Sequence, residues 1–510
     1  MRRSVPRLLV PLVLVTVVAA CNAPERSGTT STTVAAVTTA GSTTTSPQDA
    51  ILEESLQCDP LDERACLLPW PNDAFTVPDD SSATGRRLDI HPDSTPTNAD
   101  GTPIDVTDQN RADGFSPGSA ILAFVPDIDL ERTGLAPSTD IGASLDEDAP
   151  VVLLDTATGE RIPYWAELDA QAPEGDQLLM VHPAVSLPEG HRIAVALRNM
   201  KDANGDLIEG SEAWAAALDG TPEPLERARH FRELLGDLND GGVTPEGMFL
   251  AWDFTVASAE SLSGRVLHAR ELAYATIGGA APAFTVTAQT DGAGVRIVDG
   301  TYEVPNFLTD DGGPGSTYVL DDDGLPMVNP TQRVYTAPFH CTLPAATGDG
   351  RPTIVYGHGL LGDRFESDAL AFAASSGIAG VCATDEIGMN ADDVANLAGI
   401  LGDLSRFSEQ ADRMQQGLIN QQFLGRLLNS TDGFASDPAF SDAAGAPLVS
   451  PGNTVFVGNS QGGILGGAAS AISSEWTNVV LGVPGINYSL LLPRSSDWPE
   501  FQSIFDVAYT

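Results

Sequence analysis

Lysine is almost missing from this sequence: Lys201 is the only one. Lysine and arginine together number 26 against 70 acidic residues, a formal charge of −44. A surface that negative repels phosphate backbones and excludes nucleic acid as a natural partner. The acidity aids solubility and does not identify a substrate, and the use of arginine for lysine reads as the mark of a high-GC genome. Beyond the first residues, no apolar run approaches the ~20 residues that a spanning helix needs. Cysteines number five, with no CxxC-type cluster beside histidines, so a zinc site is not expected. No internal repeat stands out.

What is present begins with an address. Arg2, Arg3 and Arg7 form a basic n-region, and Leu8 to Val18 is a short apolar run. It ends in Val18-Ala19-Ala20-Cys21, where small residues before a cysteine form a lipobox. Residues 1–21 are therefore expected to be a lipoprotein signal peptide, with Cys21 lipidated as the mature N-terminus and the membrane anchor of an exported, surface-held protein. Residues 22–57 include a tract of Ser, Thr, Ala and Gly with too little apolar bulk to order, a flexible tether. Export makes disulfides the default for Cys58, Cys66, Cys341 and Cys382. The first two close a short loop and are expected to pair, leaving Cys341 with Cys382.

At 510 residues, two or more domains are expected. From 58 to 240 the pattern is β-rich. Short candidate strands (Ala120–Val125, Val151–Leu154, Arg161–Leu168, Gln177–Val181, Arg192–Leu197) alternate with turn signals, which suggests a β-sandwich. Asp155-Thr-Ala-Thr-Gly159 predicts a hairpin between the second and third of these. The stretch 181–197 resembles immunoglobulin-like modules of bacterial surface proteins. Asp202-Ala-Asn204-Gly-Asp206 opens like a calcium loop, but Leu207 and Ala213 stand where glycine and glutamate are needed, so a hairpin turn is expected. Residues 241–335 are read as connecting helices and loops. Apolar spacing predicts helices over Leu225–Leu235 and Ser261–Ala275, with a strand-like Phe249–Val256 between them.

From 336 onward the texture changes to strands alternating with helices, the pattern of a parallel sheet covered on both faces. Pro352–Tyr356 and Ile378–Ala383 are strands; Asp392–Leu428 is helical, as a cap or a scaffold pair. Thr454–Val457 then runs into Gly458-Asn-Ser460-Gln461-Gly462-Gly463 and a small-residue helix. This is the strand–turn–helix context that a nucleophile elbow requires, with Ser460 as candidate nucleophile. Gly458 and Gly462 must be small for the turn to close, and the helix N-terminus favours an oxyanion. A second match, Gly114-Phe-Ser116-Pro-Gly118, follows polar residues and offers proline where an N–H is needed, so it is expected to be a loop. Gly357-His358-Gly359-Leu360-Leu361-Gly362 follows the strand at 352–356. The backbone N–H of Leu360 and that of Gln461 are the candidate oxyanion donors. His358 and Gly359 support the turn, the His358 ring having a structural role.

On Cys58-Asp-Pro-Leu-Asp-Glu-Arg-Ala-Cys66-Leu-Leu-Pro-Trp-Pro-Asn72-Asp73, His358–Gly362 and Gly458–Gly463, the sequence resembles exported bacterial α/β-hydrolase lipoproteins of the virulence-factor-lipase type. The resemblance implies hydrolysis of an ester or lipid by a Ser-His-acid triad; no cofactor is expected. Yet all seven histidines precede Ser460, the last being His358, and only one convincing strand follows the elbow before Thr510. The strands that normally hold acid and base are expected to be missing, as in a C-terminally incomplete α/β-hydrolase. Asp497, Glu500 and Asp506 are available carboxylates, but a carboxylate alone replaces the base poorly. The alternatives are a non-catalytic surface lipoprotein or an inactive remnant, or an enzyme on the same fold that cleaves polyesters or peptides.

Overall fold

The computed structural model describes residues 58–509 apart from 63, 222–224, 293 and 346–349. The basic n-region, Cys21 and the tether at 22–57 lie outside the described residues. Within them, no helix is long and apolar enough to cross a membrane.

After a small hairpin, β1 (Thr76–Pro78) and β2 (Arg86–Leu88), the first core forms. It draws on β3 (Ile121–Ala123), β4 (Val151–Asp155), β5 (Tyr164–Leu168), β6 (Leu179–Pro183), β7 (Arg192–Arg198) and β8 (Met248–Thr255). These make two three-stranded antiparallel sheets, ordered β3-β6-β5 and β4-β7-β8. Every residue of β4 and β8 is buried, so that sheet needs cover on both faces. Helix α1 (Leu225–Asp240) packs on β7 and β8 through Phe231, Leu234 and Leu238. The core thus has six strands with helices, against the seven strands of an immunoglobulin sandwich.

The hairpin expected across 155–159 closes only its first rung. Ile162 N–H donates to Leu153 O at 2.8 Å, and Asp155 N–H to Glu160 O at 3.0 Å. Pro163 then has no N–H to continue the ladder. The chain crosses over, and β5 pairs with β6 while β4 pairs with β7. Around Asp202 the chain makes a turn: its Oδ1 accepts N–H groups of Asn204 and Asp206 at 2.9 Å each, and Lys201 bridges Leu207.

Residues 241–335 do not form a separate connecting region. Strand β8 completes the first core, while α2 (Ala259–Ile277, capped by Ser258), β9 (Phe284–Gly292) and β10 (Val295–Pro305) belong to the second. There β11 (Val334–Pro344), β12 (Arg351–Gly357), β13 (Gly380–Ala383), β14 (Val449–Asn459) and β15 (Val479–Gly482) complete one seven-stranded mixed sheet, ordered β15-β14-β12-β13-β11-β10-β9. Strands β13, β12, β14 and β15 are parallel, and the other three extend the sheet antiparallel. Helices lie between these strands in sequence: α3 (Val394–Gly402), α4 (Phe407–Asn429) and α5 (Gln461–Ala471), with α6 (Trp498–Ala508) beyond β15. The result is an α/β-hydrolase-like sheet.

The Asp392–Leu428 region divides its expected roles. Helix α4 is scaffold: Leu418, Ile419, Phe423, Leu424, Leu427 and Leu428 are buried in the second core. Helix α3 packs Leu397 and Ile400 against Leu360 and Leu361 of the His-Gly turn, and α6 packs on α3. Both expected disulfides are present. Cys58–Cys66 closes its loop, and Cys341–Cys382 joins directly opposed residues of β11 and β13.

Candidate active site

The parallel strands deliver their carboxyl ends to one edge of the sheet, the usual place for a site in such folds. There β12 runs into His358–Gly362, β13 into the loop 384–393, and β14 into Ser460.

Ser460 has φ 56° and ψ −117° at the junction of β14 and α5. A non-glycine residue in this region costs about 1–3 kcal/mol and persists only where its surroundings hold it. They do: Ser460 N–H donates to Gly482 O at 2.9 Å, and Ser460 O accepts from Gly463 and Ile464 at 2.8 and 3.0 Å. A serine before a helix normally spends its hydroxyl capping the first turn. Ser460 makes no such bond, so strain is stored and the hydroxyl is left unspent. At the other motif copy Ser116 Oγ accepts Gly118 N–H at 3.2 Å, an ordinary turn bond, and Phe115 sits in a loop bridged to Val256.

Close packing explains the glycines. A Cβ on Gly462 would overlap the carbonyl oxygen of Gly357, and one on Gly458 would overlap that of Gly462. The elbow therefore lies directly on the end of β12, and Gly462 N–H donates to His358 O at 2.8 Å.

The His358 ring is fully buried. Its Nδ1 lies 2.8 Å from Gly359 O and so carries the proton, while Nε2 accepts the Glu386 N–H at 2.9 Å. Both nitrogens are committed to shaping the turn. Gly359 N–H is taken by Glu366 Oε2 at 2.8 Å, and Leu361 N–H by Gln461 Oε1 at 3.1 Å. No hydrogen bond to another described residue occupies the N–H of Leu360 or of Gln461. The Gln461 N–H lies in the first turn of α5, where such groups lack intrahelical partners.

The structure adds a residue that sequence patterning missed. Glu386, 2% exposed, accepts Gln461 Nε2 on Oε2 at 3.0 Å and Gln421 Nε2 on Oε1 at 2.9 Å. Burial pushes its carboxyl above the ordinary value, with the hydrogen bonds from the two amides opposing. Its only mark in the sequence is a position just beyond a strand's carboxyl end.

None of the histidines is hydrogen-bonded to Ser460 among the described residues. His340 on β11 lies between Asp299 and Asp368; His182, His191 and His230 pair with acids of the first core. Asp497, Glu500 and Asp506 are exposed, on or next to α6. The arrangement thus has a strained, unspent hydroxyl and two free N–H groups, with no base hydrogen-bonded to that hydroxyl among the described residues.

No protein-family model matches the sequence, and no curated protein matches it. Solved structures similar to the chain include acetyl xylan esterase 1 from Thermoanaerobacterium sp., at 15% identity and TM-score 0.30, covering 49% of this chain and 67% of that one. The glucuronoyl esterase from Solibacter usitatus matches at 12% identity and TM-score 0.23, over 44% of this chain and 60% of that one. A carboxylesterase from Geobacillus stearothermophilus matches at 15% identity and TM-score 0.19, over 37% of this chain and 39% of that one.

Proposed function

We propose that this chain is a serine carboxylic-ester hydrolase of the virulence-factor-lipase type, held at the cell surface by lipidated Cys21, with Ser460 as nucleophile. The backbone N–H groups of Leu360 and Gln461 then receive the carbonyl oxygen as it becomes an oxyanion on attack by Ser460 Oγ. Preorganised donors of this kind are each worth about 10²–10³ in turnover. The observation that carries the proposal is the Ser460 backbone at φ 56° with its hydroxyl spared from capping. This conformation sets the Ser460 side chain at the helix entrance with its hydroxyl free of a cap bond.

A second reading rests on an equally specific observation. No histidine is hydrogen-bonded to Ser460 among the described residues, and both ring nitrogens of His358 are engaged. A hydroxyl without a base is a weak nucleophile. On this reading the protein is a hydrolase-derived surface lipoprotein that binds without turning over.

Hydrolysis of p-nitrophenyl acetate by the full chain, beside Ser460→Ala, decides between them. Turnover lost in the variant establishes the enzyme; absence of turnover from folded protein leaves the binding reading. Esters of graded acyl length then separate a lipase from an esterase of short acids.

A further inference from the structure

The two candidate oxyanion donors sit on different segments, and neither can be useful unless the segments keep a fixed relation. A ring of hydrogen bonds supplies that relation. His358 Nε2 accepts Glu386 N–H at 2.9 Å. Glu386 Oε2 accepts Gln461 Nε2 at 3.0 Å. Gln461 Oε1 accepts Leu361 N–H at 3.1 Å, and Leu361 returns to His358 along the chain. Every member is in the buried or half-buried floor of the turn.

The orientation of the Gln461 amide is the variable element in this ring, because its two ends are nearly the same shape and opposite in polarity. Its NH2 end faces two groups that only accept, Glu386 Oε2 and Met389 O at 2.9 Å. That leaves Oε1 toward the Leu361 N–H. Leu361 has φ 51°, a conformation a leucine adopts only when held. With the amide reversed, NH2 would face N–H, and the bond holding Leu361 would be lost. Leu360, the residue offering its N–H to substrate, is adjacent.

Glu386 is itself clamped from the far side by Gln421 Nε2, and the end of β12 leaves it little room: a Cβ on Gly357 would meet Glu386 Oε1 at 2.7 Å. No arginine or lysine pairs with this carboxyl among the described residues. A buried acid with amide donors on both oxygens is costly as a stability device, which favours a role in orientation.

We infer that Glu386 is a positioning residue for oxyanion binding: it sets the Gln461 amide, and through it the Leu360–Leu361 backbone, without touching substrate. This rests on the reading of Ser460 as nucleophile.

The test is a polarity swap in the full chain. Glu386→Gln can satisfy Gln421 or Gln461 but not both, so kcat for p-nitrophenyl acetate falls about tenfold or more, with KM within about twofold, as expected when an interaction made in the transition state is lost. Gln461→Glu sets two carboxylates face to face and falls further. The double variant E386Q/Q461E restores a donor–acceptor pair in reversed sense, and the carboxylate introduced at position 461 still accepts Leu361 N–H. It recovers kcat above the Q461E level, a coupling that independent structural damage does not produce. Hydrogen exchange at the Leu361 amide is followed in all four proteins: protection is lost in Q461E and regained in the double variant. Unchanged kcat in E386Q, or no recovery in the double variant when all four proteins melt as folded chains, overturns the inference. If the unsubstituted protein itself shows no turnover, the nucleophile reading fails, and the Leu361 exchange pattern alone decides for or against the clamp.

Discussion

Single atoms decide much at the elbow. Gly462 has no room for a methyl group because the β12 carbonyl of Gly357 occupies the space. Gly462→Ala is expected to destabilise the protein by about 2 kcal/mol or more, since backbone cannot step aside as a side chain does; urea unfolding measures this, and an unchanged midpoint refutes it. A second residue-scale effect concerns Asp412. Desolvation pushes its carboxyl up to about 6, against the Tyr318 N–H and Arg265, which favour the charged form. A buried acid raised in this way stabilises the fold fully only below its unfolded value, and that contribution is lost as the pH rises toward 6. Two pK units correspond to about 3 kcal/mol as an upper bound. Asp412→Asn, which can still accept the Tyr318 N–H, should leave stability near pH 3.5 little changed and raise it at pH 7. Equal effects of the substitution at both pH values would count against this.

Among the elements, β11 and β13 show how register and covalent chemistry agree. Cys341 and Cys382 face each other across an antiparallel pair, with 4.1 Å between Cα atoms and a separation of 41 positions in sequence. Cross-linking a loop of that length constrains the unfolded chain by about 2–4 kcal/mol. Cys341→Ser should lower the melting temperature, and a reducing agent should lower that of the parent protein to a similar value. A melting point indifferent to both would show that the sheet needs no staple here. The sandwich hairpin illustrates the opposite case. Its turn residues are those of a hairpin and its first rung does form, but Pro163 and the wholly buried β4 send the two strands to different sheets. Local turn chemistry specifies the reversal and not the partner.

For the molecule as a whole, the sheet ends on one side at β15, paired only with β14 among the described residues. Val479, Val480 and Leu481 are exposed in succession, Val480 at 58% on the strand face opposite Leu481, while Leu481 lies close to α5 at Gly466. An apolar, unprotected edge strand is a template for association. Light scattering should show concentration-dependent association of the purified chain, and Val480→Lys should suppress it without shifting the melting temperature. Scattering that is the same for both proteins would mean that the edge is protected by other means.

The sequence by itself determined the parallel-sheet texture after residue 336, the strand–turn–helix around Ser460, the His-Gly turn, and both cysteine pairs. Each is a local signal: a period, a glycine where a turn must close, or a short list of cysteines. The strands around Ser460 were legible because a buried strand must be an apolar run and an elbow must have glycines beside it. Only the tertiary structure decided that β9 and β10 extend the sheet, because their polar, alternating residues acquire meaning from pairing with β11. It alone decided that α3 packs on the His-Gly turn while α4 is scaffold, since both have the same helical period. It alone brought Glu386, Gln421 and Gln461 together, because hydrogen bonds between residues 35 and 75 positions apart leave no trace in spacing. Periodicity records which side of an element is buried; the partner that buries it is settled only when all elements compete for the same core.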